Sequence, residues 1–294
     1  MSDPNTFRAV RLALTQRAQT SLGEIAFDVS GDGSPVVLVH GTPSRAAVWR
    51  QVVPTLADTH RVFVFDLLGF GDSERRLDQD VSIAAHGRVL RELVELWGLV
   101  DPAVVGHDIG GATAVRAHLI EGVRFAKIAL IDAVVLTPWM TARTRQMQQQ
   151  LDRYNSLPHP GLEASIREHL ESATSRPLEH KAFETLFGQW EGAQGQALYL
   201  RHLACLDEAD TQVLEPLLRS ISVPVLVLWG QADAWLPVET SERIAALIPG
   251  ARRVVLRDAG HFSMEDEPTA VAKELGGFLA DGEPGTAVQT SANQ

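Results

Sequence analysis

Cysteine is almost missing. Cys205 is the only one in 294 residues, so the chain can close no internal disulfide. That suits a reducing compartment. No run approaches the roughly 20 apolar residues of a membrane span. The opening stretch from Met1 to Arg8 is polar and lacks an apolar signal core. These absences lead us to expect a cytoplasmic protein. Positive charge is also in deficit: 26 Lys and Arg face 37 Asp and Glu, a net charge of −11. That argues against nucleic acid or an anionic membrane as the main partner. The ten histidines are scattered, with neither His-Glu-x-x-His nor paired-cysteine spacing. No metal or organic cofactor is expected. Tyrosine occurs only twice, as Tyr154 and Tyr199.

Hydrophobic residues are plentiful at 45%, enough for the core of one large domain or of a domain carrying an inserted module. After two alternating segments at 7–14 and 23–30, read as a hairpin or a pair of edge strands, a rhythm begins. Short apolar runs lie at 36–39, 62–65, 103–105, 127–131, 223–229 and 253–256. Continuous apolar runs of this length are how buried parallel strands read. Helical patterns at 83–96, 109–121 and 238–247 separate most of them, which implies a mostly parallel α/β sheet covered on both faces. The rhythm stops between 135 and 217, where four helical stretches (141–154, 161–172, 177–190 and 194–206) and no strand are expected. We read 135–217 as a helical cap inserted into a core formed by 1–134 and 218–280. Ligands bind at the carboxyl ends of strands in open α/β sheets, so a cap there would roof a pocket. The polar tail at 281–294 has little to bury and is expected to be disordered.

Asp108 is the most telling residue. In Val104-Val105-Gly106-His107-Asp108-Ile109-Gly110-Gly111 an apolar strand runs into Gly-x-Asp-x-Gly and a helix begins at once. This is the form of a nucleophile elbow, a sharp strand-to-helix turn that holds its middle side chain in the open. A carboxylate there attacks carbon and forms an ester with the enzyme, a chemistry suited to epoxides and alkyl halides. The plainer reading is a helix N-cap. His261, in Asp258-Ala259-Gly260-His261-Phe262 after a strand, could activate the water that cleaves such an ester; otherwise it is a loop histidine. Asp233, in Trp229-Gly230-Gln231-Ala232-Asp233, could orient that imidazole, or serve as a turn residue. Asp132, also at a strand end, competes for the acid role. His40-Gly41-Thr42-Pro43 follows the first buried run and looks like an oxyanion loop, with the Thr42 N–H paired with that of Ile109.

Together these segments, with Asp66-Leu67-Leu68-Gly69-Phe70-Gly71-Asp72-Ser73, resemble the α/β-hydrolase superfamily, and within it the aspartate-nucleophile branch of epoxide hydrolases and haloalkane dehalogenases. The resemblance implies an α/β-hydrolase fold, with a mostly parallel eight-stranded sheet flanked by helices and an inserted cap. It is closest to the epoxide hydrolases, whose two cap tyrosines donate to the epoxide oxygen. Tyr154 and Tyr199 both fall in the proposed cap. Dehalogenases hold halide with a tryptophan just after the nucleophile and often an asparagine in the oxyanion loop, where this chain has Ile109 and Thr42. Fluoroacetate dehalogenases carry arginines where this chain has Ile109 and Ala112.

The expected activity is therefore hydrolysis of an epoxide to a vicinal diol through Asp108, His261 and Asp233, with Tyr154 and Tyr199 at the leaving oxygen. Dehalogenation by the same triad is the alternative. A catalytically silent ligand-binding protein is the reading from another class. Trp139, Phe183, Phe187 and Trp190 would shape the pocket for a small hydrophobic substrate. Oligomeric state is left open, with a homodimer among the options.

Overall fold

The computed structural model describes residues 12–280. The tail at 281–294 and most of the first expected strand, 7–11, lie outside them. One sheet contains eight strands: β1 (Gln16–Gln19), β2 (Glu24–Ser30), β3 (Ser34–Val39), β4 (His60–Phe65), β5 (Ala103–His107), β6 (Lys127–Ile131), β7 (Val225–Gly230) and β8 (Arg252–Leu256). Their order is β1-β2-β4-β3-β5-β6-β7-β8. The β1–β2 and β2–β4 pairs are antiparallel, and every pair from β4 to β8 is parallel. The first strand begins later than the expected 7–14. Its sequence, Gln-Arg-Ala-Gln, is polar and almost fully exposed at the sheet edge, so it carries no alternation to read.

Helices α1 (Val53–Ala57), α2 (Ile83–Leu96) and α3 (Ile109–Leu119) belong to the first half of the wound sheet. Between β6 and β7 the chain makes a helical excursion: α4 (Ala142–Gln149), α5 (Leu151–Asn155), α6 (His159–Glu171), α7 (His180–Phe187), α8 (Gly192–Cys205) and α9 (Ala209–Gln212). Helices α10 (Glu239–Leu247), α11 (Ser263–Asp266) and α12 (Pro268–Ala280) complete the described chain. The helix expected at 141–154 is two pieces, because Gln150 leaves helical geometry at φ −123° and ψ 30°.

The central strands β5 and β7 are buried along their whole length. Each fully buried Val or Leu stabilises the fold by roughly 1.5–3 kcal/mol, so the sheet centre is the rigid part. Its register sets the site. Gly106 pairs with Val39, and His107 with Ile131, so the β3, β5 and β6 ends are level. Gly230 pairs with Leu256, which brings the loops after β7 and β8 together.

Candidate active site

The strand-to-helix turn is strained. Asp108 has φ 53° and ψ −123°, a backbone region that costs a non-glycine residue on the order of 1–3 kcal/mol. Packing leaves no relaxed alternative. A Cβ on Gly110 would lie 2.4 Å from the Val39 carbonyl, and one on Gly41 would lie 2.4 Å from the Asp108 Cβ. Glycine at both positions lets the turn and the oxyanion loop touch. Asp108 occupies the N-cap position of α3, but its side chain makes no capping bond. Its Oδ1 instead accepts from the Thr42 N–H at 2.8 Å. The N-cap reading therefore accounts for its position and not for its side chain.

His40 fixes the oxyanion loop. Its Nε2 accepts from the Leu67 N–H at 2.8 Å, and its Nδ1 faces the Gly41 carbonyl at 3.0 Å. Burial pushes its pKa down to about 4, so it acts as a neutral bracket. The Thr42 hydroxyl lies 2.5 Å from His202 Nε2.

The His261 ring is fully buried, with Nδ1 2.9 Å from Asp233 Oδ2 and Nε2 3.4 Å from Asp108 Oδ2. Asp233 Oδ1 accepts from the N–H groups of Trp235 and Leu236, both at 2.8 Å. The acid is thus held by its own loop and aimed at the imidazole. Burial opposes charge on His261, but the Asp233 and Asp108 carboxylates overcome it and hold its pKa well above the ordinary histidine value. Burial likewise opposes charge on Asp108. The hydrogen bond and charge of His261, with help from His107 and the Ile109 N–H, bring the Asp108 pKa below the usual carboxylate range.

Asp132 is also buried, but it faces other partners. Its Oδ1 accepts from the Gly230 N–H at 2.7 Å and its Oδ2 from the Ser263 hydroxyl at 2.8 Å. It ties the β6 end to the β7 end and to α11. Burial and the neighbouring Asp233 charge raise its pKa well above the usual range.

Above Asp108 lies a small cavity. Its walls include Thr42, Trp139, Met140 and Leu203, and its polar side carries Thr144, His169 and Tyr199. Of the two tyrosines only Tyr199 lines it. Tyr154 lies half-buried on α5, packed against the hydrophobic core; the break at Gln150 takes it off the path of α4, which carries Thr144 to the cavity. Burial raises the Tyr199 pKa, so its hydroxyl keeps its proton. Of the expected pocket residues, Trp139 lines this cavity, whereas Phe183, Phe187 and Trp190 line a separate one between α6 and α7. Trp190 is held there by donating its indole N–H to the Pro43 carbonyl at 2.6 Å and by packing edge-on against Phe70.

Three lining or supporting groups were not singled out in the sequence. His169 lies on α6, and burial takes its pKa down to about 4. Trp235 stacks between His169 and His261. His107, inside the elbow, has its Nε2 2.9 Å from the His261 carbonyl. Only Trp235 left a usable signal, since it falls two residues after Asp233 at a strand end.

A model of the alpha/beta hydrolase fold family matches residues 34–268. Haloalkane dehalogenase 2 of Mycobacterium tuberculosis (strain ATCC 25618 / H37Rv) is 30% identical over 275 residues, covering 87% of this chain and 91% of that protein. A 2-hydroxy-6-oxo-6-(2'-aminophenyl)hexa-2,4-dienoic acid hydrolase of Metapseudomonas resinovorans is 26% identical, covering 85% of this chain and 86% of its own length. Among solved structures, an alpha/beta hydrolase fold protein from Burkholderia ambifaria superposes with a TM-score of 0.87 at 32% identity, covering 90% of this chain and 97% of that one. A thermophilic esterase from Thermogutta terrifontis does so with a TM-score of 0.70 at 27% identity, covering 90% and 98%. These names span several reactions, so the shared fold does not choose among them. The chain belongs to the α/β-hydrolase family.

Proposed function

We propose that the protein opens an epoxide to a vicinal diol through an alkyl ester on Asp108. The observation that carries this reading is how the Asp108 carboxylate is shared out. Oδ1 is held by the Thr42 N–H, while Oδ2 is left beside the His261 imidazole. Oδ2 attacks the epoxide carbon and the C–O bond of the ring breaks. Tyr199 gives a proton to the departing oxygen, and the neutral His169 on the same wall is the second donor available to it. Esterification removes the negative charge next to His261. With one of its two stabilising carboxylates neutralised, the imidazolium gives up its proton, which goes by way of solvent to the Tyr199 phenolate left by ring opening, and His261 becomes a base. It then takes a proton from water as that water attacks the ester carbon. Negative charge builds on Oδ1, which already accepts from the Thr42 N–H, with the Ile109 N–H beside it in the turn. On collapse the Oδ2–Cγ bond breaks, the departing diol oxygen takes the proton from the imidazolium, and the Asp108 acid returns its own proton to the imidazole, which restores the carboxylate.

Dehalogenation is the second reading, because a relative at 30% identity is named a haloalkane dehalogenase. The halide donor that the resemblance to dehalogenases implies is an indole N–H. The indole N–H groups of Trp139, Trp190 and Trp235 are already given to Thr211 Oγ1, the Pro43 carbonyl and Ser172 Oγ, at 2.9, 2.6 and 2.9 Å. Hydroxyl and imidazole groups remain on the cavity wall, which favours an oxygen leaving group.

Replacing His261 with Gln is expected to stall the second step. With an aryl epoxide, the peptide carrying Asp108 should gain the mass of the whole epoxide. With a haloalkane it would gain the alkyl group only, with halide released. Tyr199→Phe should slow epoxide opening roughly 10²–10⁴-fold and Tyr154→Phe should not. No adduct from either class, with labelled water oxygen entering the first-turnover product directly, would remove the covalent route.

A further inference from the structure

Trp235 touches the acid, the base and the helical excursion at once. Its backbone N–H donates to Asp233 Oδ1 at 2.8 Å. Its ring lies 4.9 Å from the His261 ring at an interplanar angle of 31°. On its other face the His169 ring stacks at 4.4 Å and 11°. Its indole N–H donates to Ser172 Oγ at 2.9 Å, and the Ser172 hydroxyl donates to the His169 carbonyl at 2.6 Å. The indole is therefore clamped to the C-terminal end of α6 while it covers the imidazole.

We propose that Trp235 is a positioning residue for His261: held by Ser172 and His169, its indole backs the imidazole and stabilises the imidazolium through its π face, so that the base is set up by the seating of α6. This rests on the reading of His261 as the base. A cation within about 6 Å of an indole centroid gains roughly 0.5–2 kcal/mol when water is excluded, and His261 is fully buried. The other titratable groups around the imidazole come from different elements. Asp108 and His107 lie at the β5 end, Asp233 after β7 and Asp132 after β6. His169 on α6 stands across the indole. Burial keeps His107 and His169 neutral near pH 7, so neither opposes the imidazolium with a charge of its own.

The test reads the His261 imidazole directly by NMR titration of the substrate-free protein, in wild type and in Trp235→Leu, Trp235→Met and Ser172→Ala. Loss of the π face should lower the His261 pKa by about 0.5–1.5 units. Ser172→Ala, which keeps the ring and releases it from α6, should lower it by less than half as much. The Met variant gives the same readout should the Leu variant fail to fold. An unchanged or raised His261 pKa in the folded Leu or Met variant overturns the proposal. No effect of Ser172→Ala overturns the tie to α6. Because no substrate is present, the titration stands apart from whether epoxides are turned over. In the ester-forming enzyme, the pH profile of ester hydrolysis should move in the acid direction by the same amount.

Discussion

Two buried carboxylates stand near His261, and their surroundings separate what each can do. Asp233 meets the imidazole with one oxygen and two backbone N–H groups with the other. Asp132 spends its oxygens on Gly230 and Ser263. Asp233→Asn should therefore cost roughly 10²–10⁴-fold in ester hydrolysis, because the amide cannot stabilise the imidazolium, with substrate binding little changed. Asp132→Asn should leave turnover within a few-fold. Asn accepts the Gly230 bond, tolerates the φ of 44° at this position, and faces a hydroxyl that can turn to accept. Its cost should be on the order of 1 kcal/mol of stability in urea unfolding. A collapse of activity in the Asp132 variant would reverse this assignment. At this scale the sequence was readable wherever a side chain sat in a motif at a strand end, as Asp108, Asp233, His261 and Thr42 do. The order of Asp132 and Asp233 along the chain could not say which one touches the imidazole. His169 lies in a helix with no neighbouring signal, and only the fold of α6 against Trp235 gives it a place in the cavity.

Elements set how the helical excursion sits on the sheet. On one side the excursion is pinned by Gln189. Its amide donates to the carbonyls of Pro43 and Ser44 at 3.1 and 2.9 Å, and its Oε1 accepts from the Gly71 N–H at 2.6 Å. On the other side the Phe262 N–H donates to the Ala173 carbonyl at 3.1 Å, next to His261. The loop at Thr42 and the His261 loop are thus both braced by the residues between β6 and β7. Gln189→Ala removes three bonds to backbone groups of the oxyanion loop and the loop at Gly71. It should cost about 2–3 kcal/mol of stability and slow ester hydrolysis more than ester formation, since the Thr42 N–H matters most when charge builds on Oδ1. Stopped-flow separation of the two steps checks this; equal slowing of both would place the effect elsewhere. The buried strands β3 to β7 were legible because both faces are covered and the apolar runs are continuous. The exposed β1 and the break at Gln150 were not, since one has no apolar face and the other is a change of backbone angle within an unremarkable polar stretch. The excursion's helices were visible from composition, but their rotation was not. That is why Tyr154 was expected in the cavity that Tyr199 lines, and Phe183 with Phe187 where Trp139 stands.

Across the whole molecule, histidine burial sets the response to acid. Burial brings His40 down to about 4 and His86, His107 and His202 down to about 3. In the unfolded chain each would take up a proton near 6.5. The folded state refuses those protons, so the stability present above about pH 6.5 is lost as pH falls toward 4, at roughly 1.4 kcal/mol per pH unit for each histidine. His261 works the other way. Its raised pKa gives stability that is complete below about 6.5 and lost as pH rises through the folded value, so it leaves the acid limb unchanged and lowers the alkaline one. His169, brought down to about 4, adds to the four lowered histidines. Burial acts in the opposite sense on carboxylates: Asp132 is raised well above the usual range, and Asp66, Asp210 and Glu265 are raised as well, so the fold holds protons there that the unfolded chain has released. Five histidines outweigh these four carboxylates, of which only Asp132 is raised far, and urea unfolding should show stability dropping by a few kcal/mol between pH 6.5 and 5. His86 tests this without disturbing the site, because it is buried on α2 beside Phe70, outside the cavity above Asp108. His86→Leu should flatten the acid limb by about one proton, or roughly 1.4 kcal/mol per pH unit, while turnover at pH 7 stays close to wild type. An acid limb of unchanged steepness in that variant would mean that the proton uptake on unfolding belongs to other groups, and that burial of His86 does not govern it.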